Sequence, residues 1–301
     1  MKKVVLSMCV GMAVLAISCS KSTTDEPAPP SPVPDDKKVE IKISPAIDES
    51  RATDYGFETG DHIGLYVVNY DGATPGVLAN RGNHVDNMRF TYNGTWVPDS
   101  PIYWLDDATH ADFYLYYPYG QVSSVDAYPF EVRADQSTEA AYKASDLMVG
   151  KAVNVAPTSS ATRIPVSHVM SRIMLYLEPG NGFTKESLGT ADVSVKINGV
   201  KCGSTVNLST GAVTPTGNAT VVTPLFADNA YKALIVPQTV AECNLVTVTV
   251  DGRDFNLKKG FTFEAAKSHR FTVTLAKTSN GINVGINPWA DDGVDNGGTA
   301  E

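Results

Sequence analysis

The chain has 301 residues, 24 basic against 33 acidic, a formal net charge of −9 and 43% hydrophobic content. An acidic protein of this kind is not steered toward phosphate backbones, so nucleic acid is excluded as a partner. The length suits two domains of ordinary size, and four cysteines without a CxxC pair offer no zinc site of the usual spacing.

Lys2 and Lys3 open the chain, Val4 to Ser18 is an apolar run interrupted by Ser7 and Gly11, and Cys19 follows. A positive start and an apolar stretch shorter than the roughly 20 residues of a membrane span are the parts of a secretory signal. Leu15-Ala16-Ile17-Ser18-Cys19 resembles a bacterial lipoprotein box, in which the cysteine becomes the acylated first residue of the mature protein. Residues 1–18 are therefore expected to leave as a signal peptide, taking Cys9 with them, and Cys19 to anchor the chain in the outer membrane at the cell surface. Stable anchoring takes two or more acyl chains. Loss of two signal lysines from 24 basic residues, against 33 acidic ones, gives a mature charge of −11.

Residues 19–38 read CSKSTTDEPAPPSPVPDDKK, rich in proline and charge and almost free of large apolar side chains. Such a segment cannot bury enough surface to offset its ordering entropy, and it is predicted to be an extended, disordered linker. From Val39 to Trp289 the dominant period is two. Val39, Ile41 and Ile43 alternate with Glu40 and Lys42. The same pattern returns in Val193-Val195-Ile197, Val246-Val248-Val250 and Phe271-Val273-Leu275. Alternation of this kind predicts strands with one face buried and one wet. Asn93-Gly94 between Phe90-Thr91-Tyr92 and Thr95-Trp96-Val97 predicts a hairpin, and Asn198-Gly199 and Ser209-Thr210-Gly211 predict further turns. Thr138 to Leu147 is the best short helix candidate. The class is all-β, with sandwiches favoured over barrels. The polar stretch Pro157 to Thr162 suggests a boundary between an N-terminal sandwich over 39–162 and a C-terminal one over 163–290, before an acidic, flexible tail at 291–301.

Cys202 and Cys243 remain in a compartment that permits disulfides, either bridged to one another or as two separate thiols. Of the five histidines, His62, His84, His110, His168 and His269, none forms HExxH or a close pair. No GxSxG elbow or phosphate loop follows a strand. Asp291, Asp292 and Asp295 lack the spacing of a calcium loop. No catalytic residue, metal or cofactor is assigned, and the chain is not read as an enzyme.

Five local motifs stand in order along the body. They are Phe57-Glu58-Thr59-Gly60-Asp61-His62-Ile63-Gly64-Leu65-Tyr66; Ile102-Tyr103-Trp104 with Asp112-Phe113-Tyr114 and Tyr116-Tyr117-Pro118-Tyr119; Val166 to Ile173; Ala233 to Gln238; and Ile282 to Trp289. Together they resemble the fimbrillin family, the pilus subunits of Gram-negative cells. The resemblance implies two transthyretin-like sandwiches in tandem and a lipoprotein precursor. It also implies cleavage by an arginine-specific protease near the start of the first domain, which here would fall at Arg51-Ala52. The displaced strand would carry Val39, Ile41 and Ile43. Its removal would uncover about 5–9 kcal/mol of aliphatic burial, and a strand donated by another fimbrillin subunit would refill the groove. Two donors near the C-terminus fit the alternation, Phe271-Val273-Leu275 and Ile282-Val284-Ile286. The assembled surface would touch a host protein or glycan. The other reading is an unprocessed, monomeric surface lipoprotein that stacks glycans on exposed aromatics such as Trp96, Tyr103 or Trp104.

Overall fold

The computed structural model of the chain describes residues 38–47, 56–277 and 298–300. The first half holds β1 (Ile43–Ile47), β2 (His62–Asn69), β3 (Val85–Tyr92), β4 (Trp96–Pro98), β5 (Ala111–Tyr117), β6 (Tyr128–Glu131), helix α1 (Glu139–Lys143), β7 (Met148–Val155) and β8 (Thr162–His168). The second half holds β9 (Ser171–Pro179), α2 (Lys185–Thr190), β10 (Val193–Val206), β11 (Val213–Val222), β12 (Leu225–Ala227) and β13 (Ala230–Ile235). It continues with β14 (Gln238–Val250), β15 (Arg253–Phe263), β16 (Ser268–Leu275) and β17 (Gly298–Ala300). The chain is all-β, as its alternation predicts.

These strands form three sheets. One has seven strands in the order β1-β8-β7-β5-β2-β3-β4. The second runs β11-β10-β14-β15 with β6 added against β10, and the third runs β12-β13-β9-β16-β17. Alternation holds where one face meets the core. In β16, His269, Phe271, Val273 and Leu275 are buried and their neighbours are half-buried. It fails at the middle of the seven-stranded sheet, where Ile63 to Val68 and all of β5 are buried. Both faces of that sheet are covered. Leu65, Val67, Phe113 and Leu115 point into one core shared with Ile41, Ile43 and Trp104, while Tyr66, Val68, Tyr114 and Tyr116 join a larger core with Ile173 and Leu175.

Strand pairing crosses the expected boundary between the halves. β8 starts at Thr162 and pairs with β7 and with β1, so the first sheet continues past the expected boundary at 162/163 to His168. In the other direction, β6 leaves the first half and pairs antiparallel with β10, Tyr128 opposite Val206. The described residues form one compact unit. Asn198-Gly199 is not a turn but a bulge inside β10, with Gly199 at φ +74° and the register shifting between Asn198 and Val200. Within the tail expected at 291–301, Gly298–Ala300 pairs parallel with Val273–Leu275 of β16. Helix α1 is shorter than its candidate. Thr138 caps it through a bond from the Ala141 amide at 3.2 Å.

Candidate functional site

Functional interest centres on the first described segment, because it completes a core built by the rest of the chain. Ile41 and Ile43 are 1% and 6% exposed and belong to the core of the seven-stranded sheet, with Val39 and Ile47 packed at its rim. Period-two spacing puts both isoleucines inward while Lys42 and Ser44 stay exposed. The Ile41 amide donates to the Ile102 carbonyl at 2.8 Å, and the Trp104 amide donates to the Val39 carbonyl at 2.9 Å. On the other side the Thr162 amide donates to the Lys42 carbonyl at 2.8 Å, and β1 then runs parallel to β8 from Ile43 opposite Thr162 to Ile47 opposite Val166.

This ladder lies at a sheet edge, with a proline on each strand: Pro45 faces Ile164, and Pro165 faces Ala46. The Thr162 amide points to the segment and the Ile41 amide points away from β8, so the unbroken register turns both proline nitrogens out of this ladder, where the missing amides cost it no bond. Burial of the two isoleucines adds about 3–6 kcal/mol to the attachment.

Beyond the segment a separate set of contacts fixes the chain from Phe57 onward. The Phe57 ring meets Trp96 edge-on at 4.9 Å and Tyr117 at 5.7 Å. Asp61 accepts from the Glu58 amide at 2.8 Å and from the Tyr117 hydroxyl at 3.3 Å. Lys143 on α1 reaches Glu58 at 2.9 Å and Asp61 at 3.2 Å. Burial opposes the Lys143 charge, but the two carboxylates outweigh it and hold its pKa above the ordinary lysine value. Burial, reinforced by Asp61, pushes the Tyr117 phenol well up. Gly60, at φ +97°, makes the turn into β2. At Gly64 the Tyr116 ring lies across the backbone, where a Cβ would come within 2.5 Å of its Cζ.

The other residues singled out in the sequence fall into three groups. Cys19, Arg51, Ala52, Ile282, Val284, Ile286 and the aspartates after 290 lie outside the described residues. Phe271, Val273 and Leu275 are each 0% exposed in β16, between β9 and β17. In this structure the C-terminal core uses the strand of that donor candidate. Cys202, buried on β10, and the half-buried Cys243 on β14 are both free thiols, so the structure holds the unbridged of the two arrangements. Burial, with a smaller push from Glu131, raises the Cys202 thiol.

The histidines have structural partners. Nδ1 of His62 is 3.0 Å from Thr91 Oγ1, Nε2 of His84 is 2.7 Å from the Tyr103 carbonyl, and Nδ1 of His110 is 2.7 Å from Asn154 Oδ1. Nδ1 of His168 is 2.8 Å from Asp146, and His269 accepts from the Glu264 amide at 3.2 Å. Of the aromatics considered for glycan stacking, Trp104 is 4% exposed and donates its indole N–H to the Thr158 carbonyl, while Trp96 packs in the Phe57 cluster. Two contributors were missed in the sequence. Ile102 to Trp104 closes over the first segment, which only the apolar Ile102 and Trp104 hinted at. Gln136 is fully buried and exchanges two bonds of 2.8 Å with the backbone of Leu234, tying 134–136 to β13 with no sequence signal.

The family model described as fimbrillin-like matches residues 50–289. A fimbrium subunit of Bacteroides uniformis is 26% identical over 308 residues, covering 96% of each chain. The fold is similar to that of a cell adhesion protein of Bacteroides uniformis, with a TM-score of 0.62 at 22% identity, covering 81% of this chain and 95% of the other. It is also similar to a cell adhesion protein of Bacteroides ovatus, with a TM-score of 0.63 at 18% identity and coverage of 79% and 92%.

Proposed function

The chain belongs to the fimbrillin-like family, and from that premise we propose that it is a structural and adhesive subunit of a cell-surface fimbrium, assembled by strand exchange. It is exported as a precursor of two tandem transthyretin-like domains, acylated at Cys19 and held in the outer membrane. An arginine-specific protease cuts at Arg51-Ala52 and releases the segment carrying Val39, Ile41 and Ile43. The groove then accepts a strand from another fimbrillin subunit, with Phe271-Val273-Leu275 and Ile282-Val284-Ile286 as the two donor candidates. The completed fimbrium presents its surface to a host protein or glycan.

One observation carries this reading. The segment before Arg51 fills a core with Ile41 and Ile43, yet ends in a strand at the edge of its sheet. Losing it uncovers about 3–6 kcal/mol of aliphatic burial while leaving β8 paired to β7. An open edge beside an uncovered apolar cleft is what donor-strand pairing needs: backbone bonds give affinity and alternate side chains give register. The contacts of Phe57, Asp61 and Lys143 hold the chain downstream of the cut without help from the lost segment.

The test is the N-terminus of the protein recovered from assembled fimbriae, by intact mass and terminal sequencing. A start at Ala52 is expected, and Arg51→Ala should leave soluble monomer. Assembled protein that still begins at acylated Cys19 overturns the exchange scheme and favours the monomeric, glycan-binding lipoprotein.

A further inference from the structure

Thr162 opens β8 directly against the first segment: its amide donates to the Lys42 carbonyl at 2.8 Å, and its Cα stands opposite Ile43. The residue is 6% exposed and its side-chain oxygen is buried, yet Thr162 Oγ1 has no hydrogen-bond partner among the described residues. Ile164 and Val166 follow it on the same inward face, both fully buried in the core that Ile41 and Ile43 complete. Of these three inward residues only Thr162 is polar. The side chain facing it is an isoleucine, which can neither donate nor accept.

Water can reach that hydroxyl in an open groove, but the first segment seals it in without replacing the bond. A buried hydroxyl left in this state weighs against the sealed arrangement by a factor of about five or more. The rest of the segment is matched to its surroundings, through the buried Ile41 and Ile43 and the backbone bonds to Ile102, Trp104 and Thr162. Elsewhere in the molecule, polar residues facing one another across a ladder meet this need. Thr239 Oγ1 lies 3.0 Å from Thr262 Oγ1 between β14 and β15, and Thr247 donates to its facing Asn256 at 2.8 Å. A threonine or serine in the place of Ile43 would stand in register with Thr162 and could pair with it likewise.

We propose that Thr162 is the specificity residue of this groove. The strand it selects carries an aliphatic at the place of Ile41 and, two residues on, a hydroxyl at the place of Ile43. The proposal rests on the strand-exchange reading and adds the chemistry of the partner. Phe271-Val273-Leu275 and Ile282-Val284-Ile286 are apolar at all three alternate positions, so the strand that fits comes from a different fimbrillin subunit rather than a second copy. Exchange also gains a direction. The chain's own segment leaves the Thr162 hydroxyl unpaired, and the incoming strand pairs it, so that the two occupants differ at one defined place.

The first test is a double-mutant cycle in the full-length chain, read by hydrogen exchange at the Ile41 amide, which donates to the Ile102 carbonyl when the segment is seated. Valine and threonine differ at this site by the hydroxyl. The protection given by Ile43→Thr relative to Ile43→Val should be at least about fivefold greater with Thr162 than with Thr162→Val. An equal ratio in both backgrounds overturns the proposal. The second test offers free peptides to a chain nicked at Arg51. A peptide of residues 38–50 with Ile43→Thr should displace the seated segment at an at least about fivefold lower concentration than its Ile43→Val form. It should also outperform a peptide of Ile282 to Trp289. Displacement without these preferences overturns the proposal alone. No displacement by any peptide overturns it together with the exchange reading on which it rests.

Discussion

The first segment, Val39 to Ile47, and β16 have the same signature in sequence, three apolar residues alternating with polar ones, and different places in the fold. β16 sits between β9 and β17, with Phe271, Val273 and Leu275 fully buried. The first segment ends in β1, which lies at a sheet edge and pairs on one side to β8; Ile41, just before β1, and Ile43, its first residue, are the segment's main holds. Alternation says that a strand has an inside face, but not whether it lies within a sheet or at its edge.

The sharpest way to break this comparison is to truncate one buried side chain in β16 and one in the first segment. Phe271→Ala should cost about 3–5 kcal/mol, and its effect should spread through the C-terminal core, because Phe261 and the sheet beside β9 pack on that ring. Ile41→Ala should cost about 2–5 kcal/mol but stay local. Hydrogen exchange should then rise in β2, β5 and β8 and remain unchanged in β14 and β15. Faster exchange in β14 on Ile41→Ala would mean that the two cores unfold as one, and that β1 is no more separable than β16.

Gln136→Leu ranks next. The side chain pairs with both the N–H and C=O of Leu234 and donates to the Arg133 carbonyl at 3.0 Å. A leucine would leave the Leu234 amide without its buried partner, a loss of about 1–3 kcal/mol read as a lower denaturation midpoint at constant m-value. An unchanged midpoint would show that 134–136 is not what fastens the first half to β13.

Local signals were legible where they were local. The Asn93-Gly94 hairpin forms between β3 and β4, with Gly94 at φ +96°, and Ser209-Thr210-Gly211 turns β10 into β11. The strands of β10, β14 and β16 follow their alternation. What stayed hidden depends on partners far along the chain. The run Ile63 to Val68 holds no charge, as a strand buried on both faces requires, yet period two alone reads it as half wet. Nothing in Tyr128–Glu131 marks it as a strand for β10 rather than for its own half, because pairing across 70 residues leaves no local pattern. In the candidate site the alternation of Val39, Ile41 and Ile43 was visible, although the strand itself begins only at Ile43 and runs on to Ile47. Its edge position, its parallel partner and its lid at Ile102 to Trp104 were not.

The smallest effect concerns the contacts that fix the chain from Phe57 onward. Lys143 bridges Glu58 and Asp61, but the Glu58 side chain is 62% exposed, so Lys143→Met should cost only about 0.3–1 kcal/mol at neutral pH. Its raised pKa gives the pH dependence a sign: the contribution is fully present below the unfolded lysine value and fades as pH rises beyond it. Burial pushes Tyr66 and Tyr114 up to about 12, so they too favour the folded state below the unfolded tyrosine value of about 10 and lose that preference as pH climbs toward 12. These tyrosines belong to the sheet face that packs on the C-terminal core, not to the groove of β1. Stability should therefore fall from about pH 10 to pH 12 in the whole chain, and equally in a chain cut at Arg51. Lys143→Met should keep this alkaline limb. If the limb vanished in that variant, the bridge rather than the tyrosines would be its source.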